Sequence, residues 1–340
     1  MAIPVPKVLT TPARRAPSTP PANARWWRQA RVILNENAGS KGGIPTNLSS
    51  RARIVEVLKR HGLGDAIVLS RTADEARELT RAAVREGYDL VVAAGGDGTI
   101  GLIAGELLGT ATALGILPLG SIMNIPRMLG LPRDVEAAAD VLVEGSVRPI
   151  DVGLAKGRIF YEAGSVGMNA AMFREAARFD RGDYLSVVRA VWVAVRYRPA
   201  RMRIEMDEEL VETRALMVTV ANGPYTGVGM TIAPEARVDD GKFDVRVFRH
   251  FSKAELLRHL LSIAFGRRAY SPHIATYRSA RTRIDSSSPL PCRADSHDLG
   301  TTPVEFVIRP RALRVVVPPG GPPAGAPAVP GPVRKASGAP

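Results

Sequence analysis

The segment Asp89-Leu90-Val91-Val92-Ala93-Ala94-Gly95-Gly96-Asp97-Gly98-Thr99 decides the fold. Its first six residues, Asp89–Ala94, make a short valine-rich apolar run that ends in glycines, the pattern of a strand buried on both faces. A helical pattern follows over Ile100–Leu108, so the glycines sit in a strand-to-helix turn. Glycines at such a turn let the backbone approach a phosphate, and the helix N-terminus presents free N–H groups to it. A carboxylate beside them can hold a magnesium ion. No Gly-Lys-Ser/Thr follows, so this is not a P-loop, and the dinucleotide fingerprint spacing is missing too.

Working outward, apolar strands alternate with helical stretches. Strands are expected at Arg31–Asn35, Ala66–Ser70 and Thr112–Leu117, with helices at Asn47–His61, Thr72–Gly87 and Asp134–Glu144. Thr72 and Glu75 have the spacing of a capping box. Repeated β-α units imply a parallel sheet with helices on both faces and ligands beyond the carboxyl ends of its strands. After Pro149 the pattern changes to period-two runs: Ile150–Ala155, Ile159–Ala163, Ala215–Ala221, Phe243–Phe248, Thr276–Ile284, Val304–Ile308 and Leu313–Val317. Lys156-Gly157-Arg158 reads as a hairpin turn, and helices interrupt near Tyr184–Tyr197 and Ser252–Phe265. The division is an α/β domain over 29–149 and a mostly antiparallel β-domain over 150–318, with tails at 1–28 and 319–340.

Of 340 residues, 45% are hydrophobic and 23% charged, which excludes disorder throughout. The single cysteine, Cys292, excludes an intrachain disulfide or a multi-thiolate metal site. No run of eighteen apolar residues exists to span a membrane. The net charge is +13, but six of those charges (Lys7, Arg14, Arg15, Arg25, Arg334, Lys335) lie in residues 1–25 and 319–340, which are acid-free and also hold 13 of the 27 prolines. That composition reads as disordered. Residues 246–283 carry nine Lys/Arg against one acid and include Leu256, Leu257, Leu260, Leu261, Ile263 and Phe265, the composition of a segment resting on anionic headgroups. There is no nucleic-acid motif or basic-aromatic interleaving, so a nucleic-acid partner is not expected. Trp26-Trp27 reads as packing at the domain edge, and His61, His250, His259 and His273 show no metal-ligand spacing.

Gly95–Thr99 resembles the nucleotide-binding signature shared by diacylglycerol kinases, sphingosine kinases and NAD kinases, and other segments favour the lipid kinases. Ile33–Ser40 (ILNENAGS) is similar to their first-strand motif, with Glu36 in place of a proline. Leu117–Pro132 aligns without a gap on their LPLGT-x-ND-x-AR-x-LGIP segment. Ala233–Val245 falls where that family has its Pro-x-Ala-x-x-x-Asp-Gly loop, and Asp295–Pro303 where it has Asp-Gly-Glu. The resemblance spans residues 30–318. It implies an α/β nucleotide-binding domain followed by a β-sandwich-like domain, with ATP and a lipid headgroup meeting between them. It places Asn35, Ser70, Gly95, Gly96, Asp97, Gly98, Thr99 and Ser121 at the nucleotide, with Asp97 central to phosphate and Mg2+. A structural magnesium site would use the loop of Arg237, Asp240 and Lys242, largely through backbone carbonyls. The implied partners are a lipid substrate and an anionic membrane surface, bound peripherally at the cytoplasmic face of the inner membrane; a homodimer is compatible with this.

Two segments depart from the pattern. The family's base is the glutamate of Asp-Gly-Glu, whereas the triplet here is Asp295-Ser296-His297. Histidine, with an ordinary pKa near 6.5, suits base catalysis, which makes His297 the candidate base with Asp295 assisting. At Ser121-Ile122-Met123-Asn124 the hydroxyl survives, but Met123 loses an amide and Asn124 replaces a carboxylate. An ATP- and magnesium-dependent lipid kinase is the expected function. The alternative is a catalytically impaired homologue that binds nucleotide or lipid in a regulatory role.

Overall fold

Apolar strands at the centre of the first half leave their backbones no partner but one another, and the sheet they form sets the site. The computed structural model describes residues 26–36, 40–41, 44–45, 50–176, 185–227, 229–249 and 274–321. Strands β1 (Ala30–Asn35), β2 (Ile67–Ser70), β3 (Leu90–Gly95) and β4 (Ala113–Pro118) are parallel in the order β2-β1-β3-β4. Every residue of β3 and β4 is buried. Helices α1 (Arg51–Arg60), α2 (Ala73–Arg85), α3 (Asp97–Leu107), α4 (Asn124–Met128) and α5 (Val135–Glu144) connect and cover them.

Two expected helix starts hold where a side chain caps, whereas α1 begins at Arg51 rather than Asn47, with the Ser50 hydroxyl accepting from the Arg53 N–H. The Thr72 hydroxyl accepts from the Glu75 N–H at 3.1 Å, and the Glu75 carboxylate accepts in turn from the Arg71 N–H at 2.8 Å. Asp134 caps α5 through the Ala137 N–H at 3.0 Å. Helix α3 begins at Asp97 rather than Ile100, because extended Gly96 serves as its N-cap. The indole N–H groups of Trp26 and Trp27 both donate to the Leu142 carbonyl, and Trp27 is buried, so the pair packs on the domain.

The second half contains β5 (Ser146–Ala155), β6 (Arg158–Phe160), β7 (Ala163–Gly167), α6 (Met168–Ala176), α7 (Ser186–Arg196), β8 (Ala200–Met206), β9 (Glu209–Ala215), β10 (Met217–Ala221) and β11 (Phe243–Phe248). It closes with β12 (Ile274–Ser279), β13 (Arg281–Ser286), β14 (Pro291–Ala294), β15 (His297–Thr301) and β16 (Val304–Val317). One antiparallel sheet runs β12-β11-β10-β7-β14-β15. Facing it, β9-β8-β13-β16 continues through β4 into the parallel strands, so a single sheet crosses both halves. Phe160, Phe243 and Phe306 fill the space between the two layers. Phe160 stacks on Phe243 at 5.6 Å between centroids and meets Phe306 edge-on at 5.9 Å.

Four strand expectations change. Ile159–Ala163 is the end of β6 and the start of β7, because the chain passes from one sheet to the other at Tyr161 and Glu162. Thr276–Ile284 is two strands, because the chain leaves one sheet and enters the other at Ala280. Val304–Ile308 and Leu313–Val317 are one strand with an irregularity between Arg309 and Leu313, since both pair with β5. The hairpin β8–β9 was not anticipated. The expected helix Ser252–Phe265 and the centre of the basic stretch, residues 250–273, lie outside the described residues, as do residues 1–25 and 322–340 of the tails.

Candidate active site

Asn35, Ser70, Gly95 and Pro118 end the four parallel strands. Asn35 pairs in register with Ser70, and Gly95 with Pro118. The carboxyl edge of the sheet therefore collects the predicted nucleotide residues on one side. The Asn35 amide donates to the Thr99 hydroxyl at 2.8 Å, tying the first strand to the first turn of α3. Gly96 and Gly120 nearly touch: a Cβ on Gly120 would lie 2.7 Å from the Gly96 Cα, so only glycine fits there. Ser121 is exposed, and its carbonyl accepts from Arg133 at 2.7 Å.

Asp97 opens α3, and its two carboxylate oxygens accept the backbone N–H groups of Asn124 and Ile125 at 3.1 and 3.0 Å. It thereby fixes the start of α4. Met123, immediately before, holds a left-handed φ of 61° while buried, a conformation asparagine tolerates far better. This gives a physical reason for the family's asparagine at the position. Each Asp97 oxygen keeps a second lone pair, so the carboxylate fits a magnesium ion arriving with a triphosphate.

The other side of the site comes from the second half. The Asn124 amide donates to the Glu162 carboxyl at 2.9 Å and to the Gly227 carbonyl at 2.9 Å. Glu162 is buried, and its pKa is pushed up to about 8, first by desolvation and then by the charges of Asp295 and Asp97; Asn124 and Arg293 oppose the rise. Asp295 takes a left-handed turn (φ 46°) between β14 and β15. Its carboxylate accepts the N–H groups of Tyr161, Glu162 and Ala163 at 2.7, 3.0 and 3.1 Å. Burial raises its pKa against those bonds. Both Asp295 oxygens accept backbone N–H groups, which favour its ionised form and oppose that rise. The Tyr161 hydroxyl donates to the Gly101 carbonyl at 3.0 Å, its ring lying 3.4 Å from where a Gly101 Cβ would stand, and so joins the clamped segment to α3.

Arg293 completes this side. It is 4% exposed, lies 3.2 Å over the Phe173 ring and donates through Nη2 to the Thr226 hydroxyl at 3.1 Å. Burial lowers its pKa to about 10 against the charges of Asp295 and Glu162. Among the described residues its Nε and Nη1 have no hydrogen-bond partner, nor has the Asn124 Oδ1.

His297 lies on β15, two residues past Asp295, exposed and without a hydrogen bond among the described residues. The neighbouring Asp298 pairs with Arg174 of α6, which lowers its pKa and anchors the hairpin. Asp295 thus acts on backbone, while His297 stands at the surface.

In the Asp239-Asp240-Gly241 loop, Arg237 pairs with Asp239 at 3.1 Å, Arg278 pairs with Asp240, and the Lys242 N–H donates to Asp240 at 3.1 Å. Both acids of the loop are engaged by arginines. The described residues hold no group of three or more acidic, histidine or cysteine ligands, so metal ligation in this loop would fall to its backbone carbonyls. The loop is fastened by Asp151, fully buried, whose carboxylate accepts the N–H groups of Gly241 and Arg311, both at 2.7 Å.

Glu162, Arg293 and Asp151 were missed from sequence. Each is a charged residue inside an otherwise apolar strand-like run (IDVGLA, IFYEAG, PCRAD), and that interruption was the available signal.

A Gly-rich loop on an α/β half, met by buried acids from a β-sandwich half, defines a phosphotransferase architecture. Residues 29–155 match the diacylglycerol kinase catalytic domain, and residues 163–317 match the YegS C-terminal NAD kinase beta sandwich-like domain. A diacylglycerol kinase of Bacillus subtilis (strain 168) is 26% identical over 297 residues, covering 86% of this chain and 97% of that one. One of Staphylococcus haemolyticus is 24% identical, covering 85% and 88%. A crystal structure of a diacylglycerol kinase from Bacillus anthracis str. Sterne superposes with a TM-score of 0.69 at 18% identity, covering 87% of this chain and 99% of that one. The chain belongs to the diacylglycerol kinase-like family and is a lipid kinase.

Proposed function

We propose that this lipid kinase transfers the γ-phosphoryl group of magnesium-bound ATP to a hydroxyl of a diacylglycerol-like or sphingoid lipid at the cytoplasmic face of the inner membrane. The observation that carries the reading is Asp97: it opens α3 at the carboxyl edge of the sheet and reaches Glu162 through Asn124. The N–H groups at the start of α3 would cradle the triphosphate, with Asn35, Ser70, Thr99 and Ser121 around it. Magnesium held at Asp97 would neutralise charge on the transferring group.

Helix α7 supports the membrane partner. Ser186, Ala190 and Ala194 are buried, while Leu185, Val188, Trp192 and Val195 are 68%, 65%, 60% and 48% exposed. Positions 185, 188, 192 and 195 share one helical face, and the helix carries arginines and no acid. Labelled ATP, magnesium and vesicles containing diacylglycerol or sphingosine provide the test. Wild-type protein should yield labelled lipid phosphate and Asp97→Ala should not; ATP binding without any lipid phosphate from the wild type overturns the reading.

A further inference from the structure

We infer that Glu162, faced by the buried guanidinium of Arg293, takes the proton from the acceptor hydroxyl as the phosphoryl group is transferred, and that Arg293 holds oxygens of that group. The inference rests on the lipid-kinase reading above.

The first support is placement. Asp97 binds the backbone N–H of Asn124, and the Asn124 side chain binds Glu162, so one residue links the phosphate loop to this acid. The family resemblance expects a carboxylate at position 124. Asparagine stands there, and its amide is bonded directly to the carboxyl of Glu162, on the opposite side of the site.

The second support is Arg293. A buried guanidinium ordinarily has its donors paired, since each one left bare forfeits its hydration with no return. Here stacking on Phe173 and one bond to Thr226 hold it, and Nε and Nη1 remain unpartnered among the described residues. The Nε–H and Nη1–H groups diverge in the guanidinium plane, and each is a charged donor that can take one anionic oxygen such as that of a phosphoryl group. Thr226 adjoins Gly227, whose carbonyl accepts from Asn124, so the arginine and the asparagine that bonds Glu162 converge on one short segment.

The groups facing Glu162 are Asp295, Asp97, Asn124 and Arg293. Tyr161, next in the chain, is turned to Gly101 and is held neutral by burial. Asp295 spends its carboxylate on three backbone N–H groups, which leaves Glu162 as the acid bonded to Asn124. His297, exposed on the hairpin, lacks any such enclosure.

In the step, the O–H bond of the acceptor breaks and its proton passes to the Glu162 carboxylate. The freed electron pair on the hydroxyl oxygen forms the new bond to the γ-phosphorus of the nucleoside triphosphate. The bond from that phosphorus to its bridging oxygen breaks, and its electron pair leaves on the nucleoside diphosphate. Water then removes the proton from Glu162.

The experiment measures kcat and the KM for ATP between pH 6 and pH 9, using full-length protein, labelled ATP, magnesium and phosphatidylglycerol vesicles containing dioleoylglycerol. Because the working form is the carboxylate, wild-type kcat should rise with pH through about 8. Glu162→Gln can still accept the Asn124 bond; it should lower kcat by about 10²–10⁴-fold, leave the KM for ATP unchanged and abolish the rise. Wild-type turnover matched by Glu162→Gln, or a Glu162→Gln profile that keeps the same rise, overturns the inference alone. Absent wild-type turnover overturns the kinase reading with it. Should Glu162→Gln fail to fold, Glu162→Asp decides: a shifted midpoint supports the role, and an unmoved midpoint refutes it.

Discussion

The Gly95–Thr99 side of the site comes from five consecutive residues and works mainly through backbone, whereas the side facing it gathers Glu162, Thr226, Arg293 and Asp295 from three separate segments and works through side chains. Backbone N–H groups at a helix start need only glycines and one carboxylate, and they tolerate drift elsewhere in the chain. The loop side is thus held by local backbone, and the facing side depends on several strands being in place at once.

This contrast can be broken at several points. The largest effect is expected at Asp97→Ala, which removes the carboxylate serving both α4 and the phosphate loop. Single-turnover transfer should fall by at least about 10²–10³-fold, the scale of losing one preorganised electrostatic contact. Asp295→Asn should cost about 1–3 kcal/mol in a urea melt, because one of the three N–H groups on the clamp would face an amide NH2. The same change deletes a negative charge beside Glu162, so the rise of kcat should move to lower pH; a midpoint moved upward would contradict the electrostatics. Trp192→Asp on the exposed face of α7 should weaken sedimentation with anionic vesicles about tenfold and leave the melting temperature unchanged.

The smallest expected effect lies far from the site. Burial lowers the pKa of His61, but the Val57 carbonyl and the Asp140 carboxylate outweigh it, and the folded-state value stands above 6.5. Its stabilisation is therefore complete below 6.5 and lost as pH rises through the higher folded value. A urea melt followed across that window should show a shallow decline that His61→Gln removes.

The parallel sheet was legible because its strands are continuous apolar runs separated by capped helices, and the nucleotide side because glycine and a following carboxylate leave a local signature. The β-domain was legible only as alternation. Thr276–Ile284 alternates without a break, and nothing local marks Ala280 as the point where the chain changes sheets; that choice is made by the cores on either side. His297 was read from alignment with a glutamate, yet side-chain direction in a two-residue turn depends on φ, and the left-handed Asp295 turns its carboxylate onto Tyr161–Ala163 while His297 stays exposed. Glu162 and Arg293 become informative only once burial is known, because the same residues on an exposed strand face would be ordinary.

Strand β16 lies beside β4 in the sheet, with Val315 opposite Leu114, yet it is made roughly two hundred residues later. At the ~5–20 residues per second of protein synthesis, the ribosome leaves that edge of the nucleotide half without its neighbour for about ten to forty seconds. During that interval the half-made chain presents a bare strand edge to whatever is nearby. The parallel half of the sheet cannot complete this edge until the last strand has emerged.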